Sequence, residues 1–334
     1  MSPQEPSPRT VLVTGAAGFL GREVVCRAQA AGLGVRAIDR QRGSLPASLD
    51  FQPADITVPE TLRGLFDDID CVIHLAGLAH VFDTRQAAAA PFHQINALGT
   101  GHVARAAASA GVGAMVLISS VSVYGRHEEP LVDESYPCHP ETPYAESKYQ
   151  AEQLAATAAR AVGMRLTILR MATLYGEGDP GNVARLFRAI DRRRFLWIGD
   201  GSNQKSLIHR DDAARACIAA ALSPGAGVQT YNVAAPPSSM RQVVESIAQA
   251  LSRRVPAWRV PTGIAMSIGR AASLLTCGHT RLASLPDTIR KWVAHDAYSG
   301  ARFETECGFR PQVPLAEGIR REAAWFRAAS AANP

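Results

Sequence analysis

Thr10-Val11-Leu12-Val13-Thr14-Gly15-Ala16-Ala17-Gly18-Phe19-Leu20-Gly21 decides the fold of this chain. The first five residues form a short, β-branched apolar run that predicts a buried strand. Gly15, Gly18 and Gly21 predict a tight turn, and a helical pattern then continues through Ala31. Strand, glycine turn and helix in that order are what a phosphate-binding loop needs. Glycine lets the backbone approach a pyrophosphate, and the helix start offers free N–H groups and a partial positive charge. Gly15, Ala17, Gly18, Phe19, Leu20 and Gly21 are therefore the candidate contacts to a dinucleotide.

The alternation continues outward from this loop. A second strand, Val35 to Ile38, ends in Asp39 about 20 residues beyond the turn, where an acid accepts hydrogen bonds from the adenosine ribose hydroxyls. An acid there repels a 2′-phosphate, which favours NAD over NADP, while Arg40 and Arg42 keep NADP open. Asp55-Ile56 closes a third predicted strand, with Asp55 placed to meet the adenine amino group. Cys71 to Leu75 is a buried-strand run ending in Ala76-Gly77, residues small enough for a nicotinamide ribose to pass close to the backbone. Pro91 to Ala110 is Ala-rich and helical, with Pro91 in the tolerant first turn and Asn96 inside. Ala114 to Ile118 is another strand, running into Ser119-Ser120, and Leu166 to Arg170 is the next.

Strands separated by helices predict an α/β, doubly wound parallel Rossmann sheet that binds ligands at the carboxyl ends of its strands. After Tyr175-Gly176 the alternation loosens, with Gly and Pro punctuating shorter elements at 178–181, 223–225 and 236–237. The expected organisation is a loose tail over 1–9, a dinucleotide-binding domain over 10–175, and a smaller substrate-binding lobe over 176–334, some of which returns to the first domain. Val260 to Leu275 reads as an amphipathic helix, expected to pack rather than to touch a membrane.

Pro143-Tyr144-Ala145-Glu146-Ser147-Lys148 puts a phenol and an ammonium four residues apart, on one helix face. A Tyr ordinarily titrates near ~10, and a fixed cation nearby stabilises its phenolate, so Lys148 is expected to bring Tyr144 towards proton exchange at neutral pH.

Composition excludes several other classes. At 334 residues, 47% hydrophobic and 19% charged, the chain is an ordinary globular one rather than disordered or fibrous. The net charge of +5 is dispersed, without the Lys/Arg runs interleaved with aromatics that grip nucleic acid; Arg192-Arg193-Arg194 is the densest cluster. Cys26, Cys71, Cys138, Cys217, Cys277 and Cys307 form no C-x-x-C pair, which argues against a metal site and a disulfide framework and predicts reduced, buried thiols. Met1 to Arg9 lacks the apolar core of a signal peptide, and no apolar run is long enough to cross a bilayer, so a cytoplasmic location is expected.

Taken together, these residues resemble the extended short-chain dehydrogenase/reductase family, in its branch of nucleotide-sugar epimerases and dehydratases. The resemblance is carried by Thr14 to Gly21, Asp39, Asp55-Ile56, His74-Leu75-Ala76-Gly77, Asn96, Ser119 to Gly125, Tyr144 with Lys148, and Leu169-Arg170 through Tyr175-Gly176. Gly199-Asp200-Gly201, Asp211-Asp212 and Gly308 to Pro311 extend it over nearly the whole chain. It implies that Ser120 hydrogen-bonds the reacting sugar hydroxyl, that Tyr144 takes its proton while hydride moves to NAD, and that Lys148 lowers the phenol's pKa and holds the nicotinamide ribose. It also implies that Ile56, Leu75, Asn96, Ser119 and Met171 line the cofactor and that Ser122 and Thr173 face the sugar. Asn182, at a helix start, and Lys205 would meet a diphosphate, Leu196 and Ile198 the base, and Arg281 or Arg290 would add a basic contact. Lys205 stands where the family commonly has Arg, Thr173 where it has Asn, and Met171 where it has Pro, so the sugar side of the pocket differs. The family further implies a homodimer pairing the Pro91 and Tyr144 helices across a two-fold axis.

Within that branch a dehydratase carries an acid after the catalytic hydroxyl. Val121-Ser122-Val123 has none, and Cys138 lies outside the motif where a second acid/base would be needed. This leaves chemistry at one carbinol carbon: C4 epimerisation of a UDP-hexose or UDP-N-acetylhexosamine through a transient 4-keto sugar, in surface polysaccharide synthesis. The alternatives are reduction of a 4-keto sugar nucleotide or another ketone by NAD(P)H, and a non-catalytic NAD-binding scaffold.

Overall fold

The structure is a computed structural model, and it describes residues 10–79, 89–275 and 285–332. In chain order the first half comprises β1 (Thr10–Thr14), α1 (Phe19–Ala30), β2 (Gly34–Asp39), β3 (Asp50–Pro53), β4 (Cys71–His74), α2 (Ala89–Phe92), a π-helical turn (His93–Leu98), α3 (Gly99–Ser109), β5 (Ala114–Ser120), α4 (Pro143–Val162) and β6 (Arg165–Met171). There follow β7 (Thr173–Tyr175), α5 (Asn182–Asp191), β8 (Trp197–Ile198), β9 (Gln204–Lys205), β10 (Leu207–His209), α6 (Arg210–Leu222), β11 (Val228–Val233), β12 (Ser238–Ser239) and α7 (Met240–Ala250). The chain closes with β13 (Arg259–Val260), α8 (Thr262–Leu275), α9 (Leu285–Val293), α10 (Ala301–Cys307) and α11 (Leu315–Ala332).

The central sheet has seven strands in the order β3-β2-β1-β4-β5-β6-β11, and every pair is parallel. Its strands read as unbroken apolar runs because both faces are covered. Val11, Val13, Ile73, Val116 and Ile118 point into one core, with Val24, Ala213 and Cys217, whereas Leu12, Val72, Met115 and Leu117 point into the other, with Val103 and Ala155. Each such side chain contributes about 1.5–3 kcal/mol of burial, so the period-two alternation fixes the register of every strand. The chain order reverses between β1 and β4, the switch point at which such sheets open a ligand crevice.

A third core lies outside this sandwich, where Phe187, Ile190, Phe195, Trp197, Val243, Val244, Ile247 and Ile319 join α5, α7 and α11. α6 packs on α1, and β11 completes the main sheet, so the second half of the chain contributes to both bodies.

Several expectations need correction. β3 ends at Pro53, short of Asp55, which instead closes a side-chain turn by accepting from the Thr57 amide at 2.9 Å and its hydroxyl at 2.7 Å. Cys26 is exposed rather than buried, although Cys71 and Cys217 are fully enclosed and burial pushes both thiols up. The helix expected over Val260–Leu275 starts at Thr262, and it packs with only one of its faces. Residues 1–9, Cys277 and Arg281 lie outside the described residues.

Glu322 on α11 is 2% exposed and accepts from the Gly176 amide at 3.2 Å. Burial, together with Asp179 and Glu177 nearby, pushes its carboxyl up to about 9 from 4.5. The folded chain thus keeps a proton that the unfolded chain releases, and the contribution of Glu322 to stability falls as pH rises from about 4.5 to about 9. Glu322→Gln is expected to flatten that fall, which amounts to several kcal/mol, on the order of 5, over the full window. Urea midpoints at about pH 5 and about pH 8 measure it, and an unchanged difference between them would sink the assignment.

Candidate active site

The loop after β1 is shaped by what glycine lacks. Gly15 has φ +66°, and a Cβ there would lie 2.7 Å from Ala76; a Cβ on Gly21 would lie 2.1 Å from the Gly15 carbonyl. The loop, the start of α1 and the end of β4 therefore pack backbone to backbone. Gly18 opens α1 with no side-chain cap, which leaves its first N–H groups for a ligand. Gly21→Ala is expected to displace α1 and cut the NAD copurifying with the protein at least about tenfold, a loss of some 1.4 kcal/mol in binding. Absorbance of the acid extract reads the effect, and undiminished NAD content would refute it.

Asp39 ends β2 beside this loop. One carboxylate oxygen accepts from the Ala17 amide at 3.1 Å and the other from the Arg40 amide at 2.7 Å, so the acid is aimed across the loop, while Arg40 itself is exposed. On the other flank, Ile56 packs where Gly99 has no side chain, since a Cβ there would lie 2.8 Å from Ile56. Leu75 and Ala76 follow β4, their amides held by the Thr14 hydroxyl at 3.2 and 3.1 Å. Because that oxygen already accepts twice, its proton goes to His74 Nδ1, 2.7 Å away. His74 Nε2 then carries the ring proton and donates to Thr100 at 2.9 Å. Burial, and secondarily Lys148, pushes His74 down to about 3, so it stays neutral and acts as a strut between β1, β4 and α3.

The catalytic candidates converge at the end of β5. Thr142 caps α4 by accepting from the Ala145 amide at 3.2 Å, and Pro143 occupies the first turn, where a missing N–H costs nothing. The helix therefore begins immediately before Tyr144. Ser120 stands near enough to the Tyr144 phenol to favour its ionisation, and the Tyr144 ring meets Phe92 edge-on at 5.7 Å. Lys148, 9% exposed, donates to the Ile118 carbonyl at 2.7 Å. A Cβ on Gly77 would lie 3.5 Å from that ammonium and 3.1 Å from Asn96 Oδ1, so Gly77 keeps open the space both of them face.

The titration differs from the sequence expectation. Burial pushes the Tyr144 phenol up, with the nearby Ser120 hydroxyl pulling the other way, and burial pushes Lys148 down to about 8 despite Glu152. The protein alone thus does not depress the phenol; low dielectric opposes charge on both groups.

Asn96 sits in the π-helical turn, whose extra residue turns its side chain inward. Its oxygen accepts from the Leu78 amide at 2.7 Å, and its nitrogen donates to the Leu78 carbonyl and to Ser147 Oγ, each at 3.0 Å. Ser147 in turn donates to the Tyr144 carbonyl at 2.8 Å, which couples the loop after β4 to α4.

Sequence reasoning missed the network beneath this site. Glu152, one turn beyond Lys148, accepts from Ser119 Oγ at 2.5 Å and from Arg170 at 3.0 and 2.7 Å, all buried. Arg170 lies over the Tyr124 ring at 4.9 Å, and Tyr124 donates to Asn232 at 2.8 Å. The spacing Tyr144, Lys148, Glu152 on one helix face was the available signal. Ser119 therefore turns towards Glu152, and Met171, 3% exposed, pairs in register with Ser120.

On the substrate side, Ser122 Oγ is shielded from solvent and has no hydrogen-bond partner among the described residues, while Thr173 is exposed on β7. Asn182 is exposed at the start of α5, but the Gly181 and Ala184 amides already donate to the buried Asp179, at 2.6 and 3.0 Å. A carboxylate thus occupies much of the helix start expected to hold diphosphate. Lys205 is likewise engaged, to Asp296 at 2.5 Å and the Lys291 carbonyl at 2.8 Å. Leu196 is exposed, Ile198 half-buried, and Arg290 exposed on α9. Glu177, His209 and Asp211 offer ligand atoms within 4.8 Å of one another, but Arg321 pairs with both carboxylates at 2.8 Å and Arg210 stands 3.5 Å from Glu177. The trio therefore reads as an ion-pair clasp for α11.

The loop, the aimed acid and the open space at Gly77 together fit a nicotinamide dinucleotide. The family model for the NAD dependent epimerase/dehydratase family matches residues 11–234. The chain is 28% identical over 315 residues to an N-acetyl-alpha-D-glucosaminyl-diphospho-ditrans,octacis-undecaprenol 4-epimerase of Escherichia coli O157:H7, covering 93% of each chain. It is 31% identical to a 2-alkyl-3-oxoalkanoate reductase of Stenotrophomonas maltophilia (strain K279a), covering 96% of this chain and 99% of the relative. Among solved structures, MoeE5 in complex with UDP-glucuronic acid and NAD superposes with a TM-score of 0.77 at 27% identity, covering 96% of this chain and 99% of that one. NAD is the cofactor, and this chain, an enzyme of the extended short-chain dehydrogenase/reductase type, belongs to the NAD dependent epimerase/dehydratase family.

Proposed function

We propose that the enzyme epimerises a UDP-linked hexose or N-acetylhexosamine at C4 through a transient 4-keto sugar. The observation that supports this most directly is that Tyr144 and Lys148, one turn apart on α4, both meet the carboxyl end of β5, at Ser120 and at the Ile118 carbonyl. In this reading Ser120 orients the sugar hydroxyl, Tyr144 takes its proton, and Lys148 supplies the positive charge that balances the phenolate. NAD, when bound, supplies the hydride acceptor and then the donor at the same carbon. Gly15 to Gly21 would hold its pyrophosphate, Asp39 its adenosine ribose, and Lys148 its nicotinamide ribose. No acid lies in Val121-Ser122-Val123 to expel a leaving group. The lobe of α5, α7 and α11 would receive the nucleotide, and α3 with α4 would form a homodimer face.

Incubating the purified protein with UDP-hexoses and UDP-N-acetylhexosamines, and following the anomeric protons by NMR, tests this. Interconversion without added cofactor supports epimerisation, whereas no turnover of any of them would overturn it. The likeness to a 2-alkyl-3-oxoalkanoate reductase favours ketone reduction as the second reading. Stoichiometric NADH consumption with a ketone would establish that reading instead.

A further inference from the structure

Four large apolar side chains stand out in water on α8 and on the neighbouring β8 and β13 segments, which meet where Gly199 lies beside Thr262. Ile264 and Ile268 are 54% and 62% exposed, and they lie one turn apart on α8, whose other face is buried through Ala265 and Gly269. Trp258, 59% exposed, precedes β13; the parallel register Arg259↔Trp197 sets it beside Leu196, itself 49% exposed. Single exposed apolar residues are common, but an outward row of Trp and Ile is not.

The segment that carries the row is basic: from Ser246 to Leu275 the chain has Arg253, Arg254, Arg259 and Arg270 and no Asp or Glu, while α9, packed on α8, carries Asp287, Arg290 and Lys291. Arg253 is tied to Asp191 at 3.0 Å, while Arg254, Arg259 and Arg270 are exposed at the border of the apolar row. A helix with Ile on its outer face, Trp at its entry and Arg along its rim has the composition of one that lies in the headgroup layer of a bilayer. A second copy of this chain is a poor occupant, because a two-fold contact would set the same arginines against each other. No helix among the described residues is long and apolar enough to cross a membrane, so the contact is with the surface.

We propose that α8, with Trp258, Arg259 and Arg270, docks this enzyme reversibly on an anionic phospholipid surface. Docking needs no assumption about the substrate, and its test needs no turnover. The full-length protein is sedimented with phosphatidylcholine vesicles with and without phosphatidylglycerol, in low and high salt. Wild type is expected to partition to the anionic vesicles and to be released by salt. Ile264→Glu/Ile268→Glu is expected to lower the partition coefficient at least about tenfold. Arg259→Gln/Arg270→Gln is expected to reduce binding to anionic vesicles only. Circular dichroism and NAD content, unchanged in both variants, establish that they fold. Absence of wild-type binding, or equal binding by the Ile double variant, would overturn the proposal. So would a change in the sedimentation coefficient of the lipid-free protein on Ile replacement, which would make this face a contact between copies.

Discussion

Tyr144→Phe is expected to lower turnover about a thousandfold with NAD content and stability unchanged. The substitution removes one oxygen and keeps the ring against Phe92, so packing is conserved and only the proton-transfer group is lost. Steady-state rates with the substrate identified by NMR, alongside NAD content, decide the matter; activity within about tenfold of wild type would remove Tyr144 from the mechanism. The pH profile carries a second signature. Burial pushes Lys148 down to about 8, so its charge disappears as pH rises through that value, and the phenolate loses its counter-charge. Activity is therefore expected to fall on the alkaline side of about 8. Lys148→Arg, whose guanidinium stays charged, is expected to move that limb upward even if the rate at neutral pH drops.

Glu152→Ala is expected to destabilise the fold by about 3–5 kcal/mol, the cost of leaving a buried guanidinium unpaired. Arg170 loses its only two-pronged partner among the described hydrogen bonds, and Ser119 loses its acceptor at the end of β5. Because Glu152 lies one turn from Lys148, the same change withdraws a negative charge that favours the protonated ammonium. The alkaline limb is then expected to shift towards lower pH. Replacing both partners by apolar residues, Glu152→Leu/Arg170→Met, is expected to recover much of the stability and none of the pH shift. Denaturant midpoints and rate profiles of the two variants and wild type separate the two roles; equal stability of Glu152→Ala and wild type would refute the structural one.

The fold was legible because its signals are local. A strand of alternating cores, a turn only glycine can make, and a helix starting at Thr142-Pro143 each lie within a few consecutive residues. Asp39 was legible because its distance from the loop is set by one helix and two turns. The Glu152–Arg170 pair was not, since it joins a helix to a strand 18 residues away and neither residue is unusual alone. The role of Asp179 before α5 was not legible for a similar reason, as a helix start looks empty in sequence until a neighbouring carboxylate folds back onto it. Cys26 and the outer face of α8 depended on which side of a helix meets the sheet. An apolar pattern alone marks a stripe without saying what covers it.

The π-helical turn at Asn96 has a consequence for chain length. It holds one residue more than an α-helix would need between Phe92 and Gly99. Loss of a single codon before Asn96 would restore regular winding and swing the amide about 100° around the axis, away from Leu78 and Ser147. Insertions and deletions in this helix are thereby constrained as tightly as substitutions in the glycine loop. In an alignment of relatives, the interval from Phe92 to Gly99 should be gap-free even where the residues within it vary.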